Sequence, residues 1–181
     1  MNKIKMLKLI KLKMLINFYK FNGGLIMKIL VSYFSASGVT KNAATKLAKL
    51  LNGDLEEIKP VSEYTKDDLN WNNKNSRSSL EMENENARPE IIKPLHNLDD
   101  YDFVFIGYPI WWYVEPRVVD TYLDNFKSCK TTIIPFATSG GSNIKGSVNH
   151  LRNLYKNLNI KDGLLLNNGI NEELIKTIIN K

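Results

Sequence analysis

The sequence is poor in the residues that build disulfides and metal centres. Its 181 residues include one cysteine, Cys129, and two histidines, His96 and His150. One thiol cannot form a disulfide within the chain, and two distant histidines without ligand-spaced neighbours do not favour a metal site. This cysteine usage is typical of a reducing compartment, so we expect a cytoplasmic protein without a bound metal.

Three glycine-based motifs are also missing. The chain has no G-x-x-x-x-G-K-S/T for a nucleoside triphosphate, no G-x-G-x-x-G for a dinucleotide and no G-x-S-x-G around a nucleophilic serine. Each motif supplies backbone geometry that its chemistry needs. The sequence therefore argues against P-loop nucleotide triphosphatases, dinucleotide-fingerprint domains and serine hydrolases of the elbow type.

Acidic residues are missing from the beginning of the chain. Six of the 25 basic residues precede Met27 and no acidic residue does, which leaves 19 basic against 19 acidic residues from Met27 onward. A nucleic-acid-binding domain needs a clustered basic face. The neutral remainder therefore gives no reason to expect nucleic acid as a partner.

Residues 1–26 are rich in lysine and contain no long uncharged apolar run. The segment is too polar to span a membrane, and its lysines would lie on all sides of a helix instead of the single face that a membrane-surface helix requires. Gly23 and Gly24 lie just before Met27, and two glycine codons can encode a ribosome-binding sequence. We expect residues 1–26 to be a translated leader from a misplaced start and residues 27–181 to be the functional domain.

Strand patterns alternate with helix patterns from Met27 onward. Apolar runs predict strands at residues 29–34, 103–106 and 131–136, and shorter strands are predicted at 54–58 and 163–166. Helical spacing follows the first, third, fourth and fifth of these strands. This alternation predicts an α/β fold in which helices cover both faces of a five-stranded parallel sheet.

The segment between the second and third strands, residues 61–94, is polar and rich in asparagine. We expect an ordered excursion over the sheet with helices near residues 66–71 and 78–84, because four large side chains need burial: Tyr64, Trp71, Leu80 and Met82. Arg77 and Arg88 could reach an anionic ligand. Solvated surface positions are the simpler interpretation of both arginines.

The loop after the first strand is rich in hydroxyl groups and opens a helix. Ser35, Ser37 and Thr40 accompany the N–H groups of the first helical turn, where the helix dipole favours an anion. Because the loop has neither a P-loop lysine nor a glycine shelf, this arrangement suits one terminal phosphate. A helix cap without a ligand would need only one of these hydroxyls.

Two further loops complete the predicted site. Residues 108–113 contain four aromatic side chains, which is typical of a binding site, although a core lid or a protein interface would also explain them. Residues 138–142 are small, so their backbone can approach a flat ring closely. Loops that follow parallel strands lie at one edge of the sheet. Together the three loops predict a mononucleotide with a large planar ring, which fits FMN.

The motifs of these loops together resemble the flavodoxin-like family from Met27 to the end of the chain. The resemblance is carried by FSASGVT at residues 34–40, GYPIWW at 107–112 and ATSGGS at 137–142, with further similarity at 64–71 and 87–89. It implies a flavodoxin-like three-layer sandwich with the parallel sheet in the order 2-1-3-4-5. It also implies FMN as a non-covalently bound cofactor.

The resemblance implies three groups of FMN contacts. The phosphate would be held by Ser35, Ser37, Gly38, Val39 and Thr40. The isoalloxazine ring would be flanked by Pro109, Ile110, Trp111, Trp112 and Tyr113, and its other edge would be lined by Thr138, Ser139, Gly140, Gly141 and Ser142. Two positions depart from the family's pattern: Tyr113 replaces a small residue that often follows the tryptophans, and Gly146 lies later than the glycine expected after the Gly-Gly pair.

The implied function is electron transfer through the flavin, with no side chain required as an acid, base or nucleophile. A carrier would exchange electrons with a redox partner protein, but carriers in the family are commonly strongly acidic, whereas this chain is near neutral from Met27. An NAD(P)H-dependent FMN or quinone reductase on the same fold is the second interpretation. A flavin-free binding module is the third. Each of these could be a monomer or a homodimer.

Overall fold

The computed structural model describes residues 27–126 and 130–179, so the predictions for residues 1–26 and for Cys129 lie outside the described residues. The elements follow in the order β1 (Ile29–Tyr33), α1 (Val39–Leu51), β2 (Asp54–Glu57), α2 (Arg77–Glu83), a 3-10 helix (Leu98–Asp100), β3 (Phe103–Pro109), α3 (Arg117–Leu123), β4 (Thr132–Thr138), α4 (Lys145–Leu154), β5 (Asn159–Ile160), β6 (Leu164–Leu165) and α5 (Glu172–Ile179). The predicted alternation of strands and helices is confirmed.

The sheet is parallel and has the order β2-β1-β3-β4-β5, which confirms the predicted topology. The strand predicted at residues 163–166 is present as β6, and the structure adds a short strand that was not predicted, β5. Both β5 and β6 pair with β4 in parallel. The exposed residues Lys161 and Asp162 separate them, although Lys161 N still donates a hydrogen bond to Ile133 O of β4 at 2.8 Å.

Helices cover both faces of the sheet, as predicted for a three-layer sandwich. On one face, Val104 belongs to an apolar cluster that includes residues of α3 and α4. On the other face, Phe105 belongs to a cluster that includes residues of α1 and α5. Successive strand residues point to opposite faces, so β3 contributes to both clusters and needs an apolar residue at nearly every position.

Strand β2 lies at the edge of the sheet. Glu57 is exposed, but Glu56 is buried because neighbouring strand residues face opposite sides. The Glu56 carboxylate accepts hydrogen bonds from Leu95 N at 2.6 Å and from the Tyr122 hydroxyl at 2.9 Å. These bonds offset the cost of removing its charge from water.

The excursion at residues 61–94 is ordered and contains the second predicted helix as α2, but the helix predicted near residues 66–71 is wrong, since residues 66–69 form turns. Met82 is buried, but the predictions for Trp71 and Leu80 are wrong, since their side chains are 72% and 51% exposed. Both arginines are engaged in ion pairs: Arg77 Nε lies 2.6 Å from Glu81 Oε1, and Arg88 Nε lies 2.7 Å from Asp124 Oδ2. Neither guanidinium is therefore free to act as an anion receptor.

Neither a membrane-spanning helix nor a cluster of metal-ligating side chains is found within the described ranges 27–126 and 130–179. No helix there is long and apolar enough to cross a membrane. No group of three or more His, Cys, Asp or Glu side chains there is arranged to hold a metal ion.

Candidate functional site

The three predicted loops meet at the carboxyl edge of the sheet. Strands β1, β3 and β4 are neighbours, and Pro109 at the end of β3 lies beside Thr138 at the end of β4. The hydroxyl groups of Thr40 and Thr138 hydrogen-bond to each other at 2.8 Å, and Ile110 N donates to Thr138 O at 3.1 Å. Thr138 therefore ties the first and second loops to the third.

The first loop presents unpaired donors at the start of α1. Gly38 has a φ of 85°, a left-handed conformation that suits glycine, and its N–H donates to Ser35 Oγ at 3.1 Å. No side chain caps α1, and the N–H groups of residues 39–41 have no acceptor within the described part of the chain. Ser37 is exposed beside them. This donor set fits one phosphate and does not fit the alternative of a simple side-chain cap.

The second loop is a two-residue hairpin with strained backbone. Trp111 N donates to Val114 O at 2.9 Å, and Val114 N donates to Trp111 O at 3.0 Å. Between them Trp112 and Tyr113 have φ values of 44° and 72°. Such turns usually contain glycine or asparagine, and a bulky residue in this region costs about 1–3 kcal/mol. Strain of this kind clusters at binding sites and is offset by the surrounding structure.

The structure separates the two tryptophans of this loop. The Trp111 ring lies in an aromatic cluster, with edge-on contacts to Phe34 at 5.7 Å and to Tyr64 at 5.4 Å between centroids. Trp112 lies at the tip of the hairpin and is 45% exposed, and Tyr113 beside it is 74% exposed. Trp111 therefore fixes the base of the hairpin, while the tip faces outward.

Tyr64 connects this aromatic cluster to the excursion at residues 61–94. Its hydroxyl donates to Glu81 Oε2 at 2.5 Å, and the Arg77 guanidinium lies 4.0 Å from the centre of its ring. Burial, followed by the hydrogen bond to Glu81, raises the pKa of Tyr64 above its ordinary value, so the hydroxyl remains protonated. No local pattern in the sequence indicates that Tyr64 contacts Trp111, since the two residues are 47 positions apart.

The third loop is held by one side chain that the sequence analysis missed. Asn167 accepts a hydrogen bond from Ser139 N at 2.8 Å and donates to Ser139 O at 2.6 Å. The Ser139 hydroxyl accepts in turn from Gly141 N at 3.2 Å and from Ser142 N at 2.8 Å. The loop therefore has a defined shape before any ligand binds. Only the position of Asn167 just after the last strand could have indicated its role.

The glycines of the third loop leave open space. A Cβ atom built on Gly140 or Gly141 would meet no atom within 4 Å, so nothing in the protein itself requires glycine there. A Cβ atom on Gly146 would lie 3.0 Å from Tyr113 O, so this glycine lets the hairpin approach α4. The open space beside the Gly-Gly pair fits a ligand that approaches the backbone closely.

A cavity of about 1020 Å³ lies between the second and third loops. This volume is at the upper end of the range of about 300–1000 Å³ that is usual for small-molecule sites. Its lining consists of Trp71, Ile110, Tyr113, Ser139, Gly140, Gly141, Ser142, Asn143, Lys145, Gly146 and Asn149. Of the predicted ring contacts, Ile110, Tyr113 and residues 139–142 line this cavity, whereas Pro109, Trp111, Trp112 and Thr138 lie outside the lining.

A buried polar network joins the end of the hairpin to α4. Glu115 is fully buried, and its carboxylate accepts from Ser147 Oγ at 2.6 Å and lies 2.5 Å from His150 Nδ1. The Ser147 hydroxyl also lies 2.9 Å from the hydroxyl of Tyr108. The hydrogen bond to Glu115 raises the pKa of His150 above its ordinary value, against the opposing effect of burial. Glu115 and Ser147 were not among the predicted site residues, because no local pattern in the sequence links them.

A parallel sheet in this order, with a donor-rich loop, an aromatic hairpin and a Gly-Gly loop at its carboxyl edge, defines a class of α/β proteins that bind mononucleotides. The profile of the flavodoxin family matches residues 28–181. The chain belongs to the flavodoxin family.

Solved structures of similar proteins agree with this membership. A protein of Bacteroides eggerthii DSM 20697, provisionally described as a flavoprotein, has a TM-score of 0.80 and 47% identity over 85% of this chain and 96% of that chain. A second, from Bacteroides uniformis ATCC 8492 and described in the same way, has a TM-score of 0.78 and 41% identity over 86% and 99%. A flavoprotein of Lactobacillus acidophilus NCFM, solved in complex with FMN, has a TM-score of 0.65 and 29% identity over 77% and 93%. No curated protein matches the chain.

Proposed function

We propose that the chain is a redox protein that transfers electrons through non-covalently bound FMN. The observation that carries this proposal is the junction at Thr40 and Thr138, which places the donor-rich loop directly beside the loop that lines the cavity. Family membership and the FMN complex of the Lactobacillus acidophilus relative support FMN as the cofactor.

The first loop would hold the phosphate of FMN. The N–H groups of residues 39–41 and the hydroxyls of Ser35 and Ser37 are the donors available to it, whereas the Thr40 hydroxyl is committed to Thr138. Lys41 is directed away into an ion pair with Glu57, with 3.7 Å between Nζ and Oε2. The phosphate would therefore be bound by amides and hydroxyls at the helix N-terminus.

The second and third loops would hold the ring. The open space at Gly140 and Gly141 fits a flat ring edge against the backbone, and Ile110 and Tyr113 provide apolar surface across the cavity. Pro109, Trp111 and Trp112 would support this wall of the site, with Trp111 fixed by its aromatic neighbours. Thr138 would join the ring and phosphate sites, and Ser139 and Ser142 would complete the edge.

FMN supplies reversible electron transfer when it is bound, and the chain supplies binding, orientation and electrostatics. The two ring loops, residues 108–113 and 138–142, contain no lysine or arginine. Added negative charge on a bound ring would gain little stabilisation from these loops. We therefore expect these loops to lower the reduction potential of FMN relative to free FMN, with Lys145, the one charged side chain in the described cavity lining, acting in the opposite direction.

Titration of the FMN-free protein with FMN and with riboflavin tests the proposal. We expect FMN to quench tryptophan fluorescence with one-to-one stoichiometry and to bind more tightly than riboflavin, which lacks the phosphate. Ser37→Ala should weaken FMN binding without changing riboflavin binding, whereas Thr45→Ala, which removes an exposed hydroxyl elsewhere on α1, should change neither. If FMN neither quenches fluorescence nor changes the visible spectrum, the flavin-free binding module is the better interpretation.

A second candidate function is an NAD(P)H-dependent FMN or quinone reductase. The balance of 19 basic and 19 acidic residues from Met27 onward favours it over a carrier, because acidic carriers use net charge to reach basic partners. Steady NAD(P)H consumption by the FMN-loaded protein with a quinone would identify the reductase. Reduction only in the presence of a separate reductase protein would identify the carrier.

We also propose a cytoplasmic location and a monomeric or homodimeric state, without nucleic acid as a partner and without membrane insertion. The single cysteine and the neutral charge from Met27 onward support these proposals. Light scattering of the FMN-loaded protein would establish the oligomeric state.

A further inference from the structure

Two large aromatic side chains at the cavity are mostly exposed. Trp71 is 72% exposed and Tyr113 is 74% exposed, and both belong to the cavity lining. Trp71 comes from the excursion and Tyr113 from the hairpin, so they are 42 positions apart in sequence. Exposed aromatic side chains that line a cavity are typical of a ligand-binding site.

The backbone around Trp71 is fixed. Asn70 N donates to Asp67 O at 3.2 Å, and Asn73 N donates to Asn70 O at 2.9 Å. The Ser79 hydroxyl of α2 donates to Asn73 O at 2.9 Å and anchors these turns to the helix. The exposed position of Trp71 therefore belongs to an ordered turn, and its ring is available without a rearrangement of the main chain.

The cavity has one charged side chain in its described lining. Lys145, the first residue of α4, lies there with Asn143 and Asn149 as polar neighbours. No carboxylate within the described ranges forms an ion pair with Lys145. The loop proposed to hold the FMN phosphate is not part of this lining, so the charge of Lys145 is available to a different anion.

We propose that Trp71 and Lys145 form a second subsite in this cavity, sharing Tyr113 with the surface proposed for the FMN ring, and that the subsite binds a planar aromatic molecule carrying an anionic group. The inference rests on the proposed function, since it names the class of molecule that exchanges electrons with the bound FMN. The aromatic rings would stack on the planar part, and the Lys145 ammonium would attract the anionic group. An acidic quinone and a nicotinamide dinucleotide share this chemistry.

Calorimetric titration of the oxidised, FMN-loaded protein tests the subsite without measuring turnover. The probes are 1,4-naphthoquinone-2-sulfonate, the neutral 2-methyl-1,4-naphthoquinone and NADP⁺. Trp71→Ala should raise the dissociation constant of both quinones by about twofold to tenfold, since a stacked pair contributes about 0.5–1.5 kcal/mol. Lys145→Gln should raise that of the sulfonate alone by about twofold to fivefold, the range of an exposed ion pair.

Conservative and distant substitutions complete the experiment. Trp71→Phe and Lys145→Arg should restore most of the binding, and Lys156→Gln, which removes an exposed lysine after the end of α4, should leave all three dissociation constants unchanged. If the binding of NADP⁺ depends on both Trp71 and Lys145 and the binding of the sulfonate does not, the dinucleotide is the occupant. This result would equally support the subsite.

The FMN dissociation constant separates the possible failures. It should stay within about twofold of wild type in the Trp71 and Lys145 variants. If Trp71→Ala weakens FMN as much as the probes, Trp71 belongs to the cofactor site and the second subsite is refuted. If Trp71→Ala leaves every probe unchanged while FMN binds normally, the subsite is refuted and the proposed function stands. A wild-type protein that takes up no FMN overturns both.

Discussion

Glu115 is a carboxylate that is fully buried directly after an exposed hairpin. Its partners, Ser147 and His150, both belong to α4, so the three residues join the hairpin to that helix. A buried charge is tolerated only when it is hydrogen-bonded or paired, and Glu115 has both kinds of partner. Burial and the nearby Glu115 charge also raise the pKa of Asp120 to about 7. These residues make the hairpin's support sensitive to protonation.

The pair of Glu115 and His150 predicts a pH dependence of stability. Because the folded-state pKa of His150 is raised above the ordinary value of about 6.5, the pair's contribution is fully present below that value and is lost as the pH rises through the folded pKa. We expect the unfolding free energy of wild type to exceed that of His150→Gln by up to about 1 kcal/mol at pH 6, and the difference to shrink toward pH 9.

Denaturant unfolding of both proteins across this pH range measures the difference. Glu115→Gln is the matched control. Because it makes the partner of His150 neutral, it should remove the same pH-dependent stabilisation that His150→Gln removes. If the difference in unfolding free energy between wild type and His150→Gln stays constant from pH 6 to pH 9, the pH dependence cannot be assigned to the pair of Glu115 and His150.

We expect the Trp111 ring to affect FMN binding indirectly, by holding the hairpin in place. Its contacts with Phe34 and Tyr64 hold the base of the loop that carries Ile110 and Tyr113. Trp111→Ala should weaken FMN binding by about twofold to tenfold, corresponding to loss of about 0.5–1.5 kcal/mol, and should raise the reduction potential. Fluorescence titration and potentiometry measure the two effects. Trp111→Phe should retain most of the affinity, and an unchanged dissociation constant in Trp111→Ala would count against this role.

At the scale of elements, the glycine in strand β3 and the glycine in the third loop have different surroundings. Gly107 in β3 allows the buried Phe136 of β4 to lie across it, since a Cβ atom there would be 2.1 Å from the Phe136 ring. Gly141 has open space around it instead. The first glycine therefore serves packing between neighbouring strands, whereas the second leaves room for a ligand.

This contrast predicts two different consequences of adding one methyl group. Gly107→Ala should lower the unfolding free energy by about 1–3 kcal/mol, because the crowded core must shift. Gly141→Ala should leave the stability of the FMN-free protein within about 0.5 kcal/mol of wild type and should weaken FMN binding. Denaturant unfolding and FMN titration of both variants measure these quantities. Equal stability loss in the two variants would contradict the distinction.

For the whole molecule, FMN should act as a structural ligand as well as a redox group. The loops that would hold it come from β1, β3 and β4, so binding would connect segments from residue 35 to residue 142. A ligand that binds only the folded state stabilises it by about 2.7 kcal/mol at 100 times its dissociation constant. The thermal midpoint should therefore rise by about 5–10 °C under these conditions.

A thermal scan of the same preparation with and without FMN measures this shift. Riboflavin at the same concentration serves as the control and should give a smaller shift, since it lacks the phosphate for the first loop. Equal shifts with the two compounds would contradict the assignment of residues 35–40.

The sequence by itself determined the alternation of elements, the sheet order through the family resemblance, and the three loops at one edge. It could do so because burial on both faces makes β3 and β4 continuous apolar runs, and because a hydroxyl-rich loop before a helix is a local pattern. The helix in the excursion was also readable, as α2 confirms. These features depend on residues that lie close together in the chain.

Only the tertiary structure decided which side chains meet across the sheet. It buried Glu56 and Glu115, exposed Trp71, fixed the third loop with Asn167, and turned Trp111 into a support for the hairpin. Apart from the exposure of Trp71, each of these outcomes depends on partners that are tens of residues away, and a side chain's environment is set by the elements packed against it. No periodicity in the sequence carries that information, because periodicity reports only which face of its own element a residue occupies.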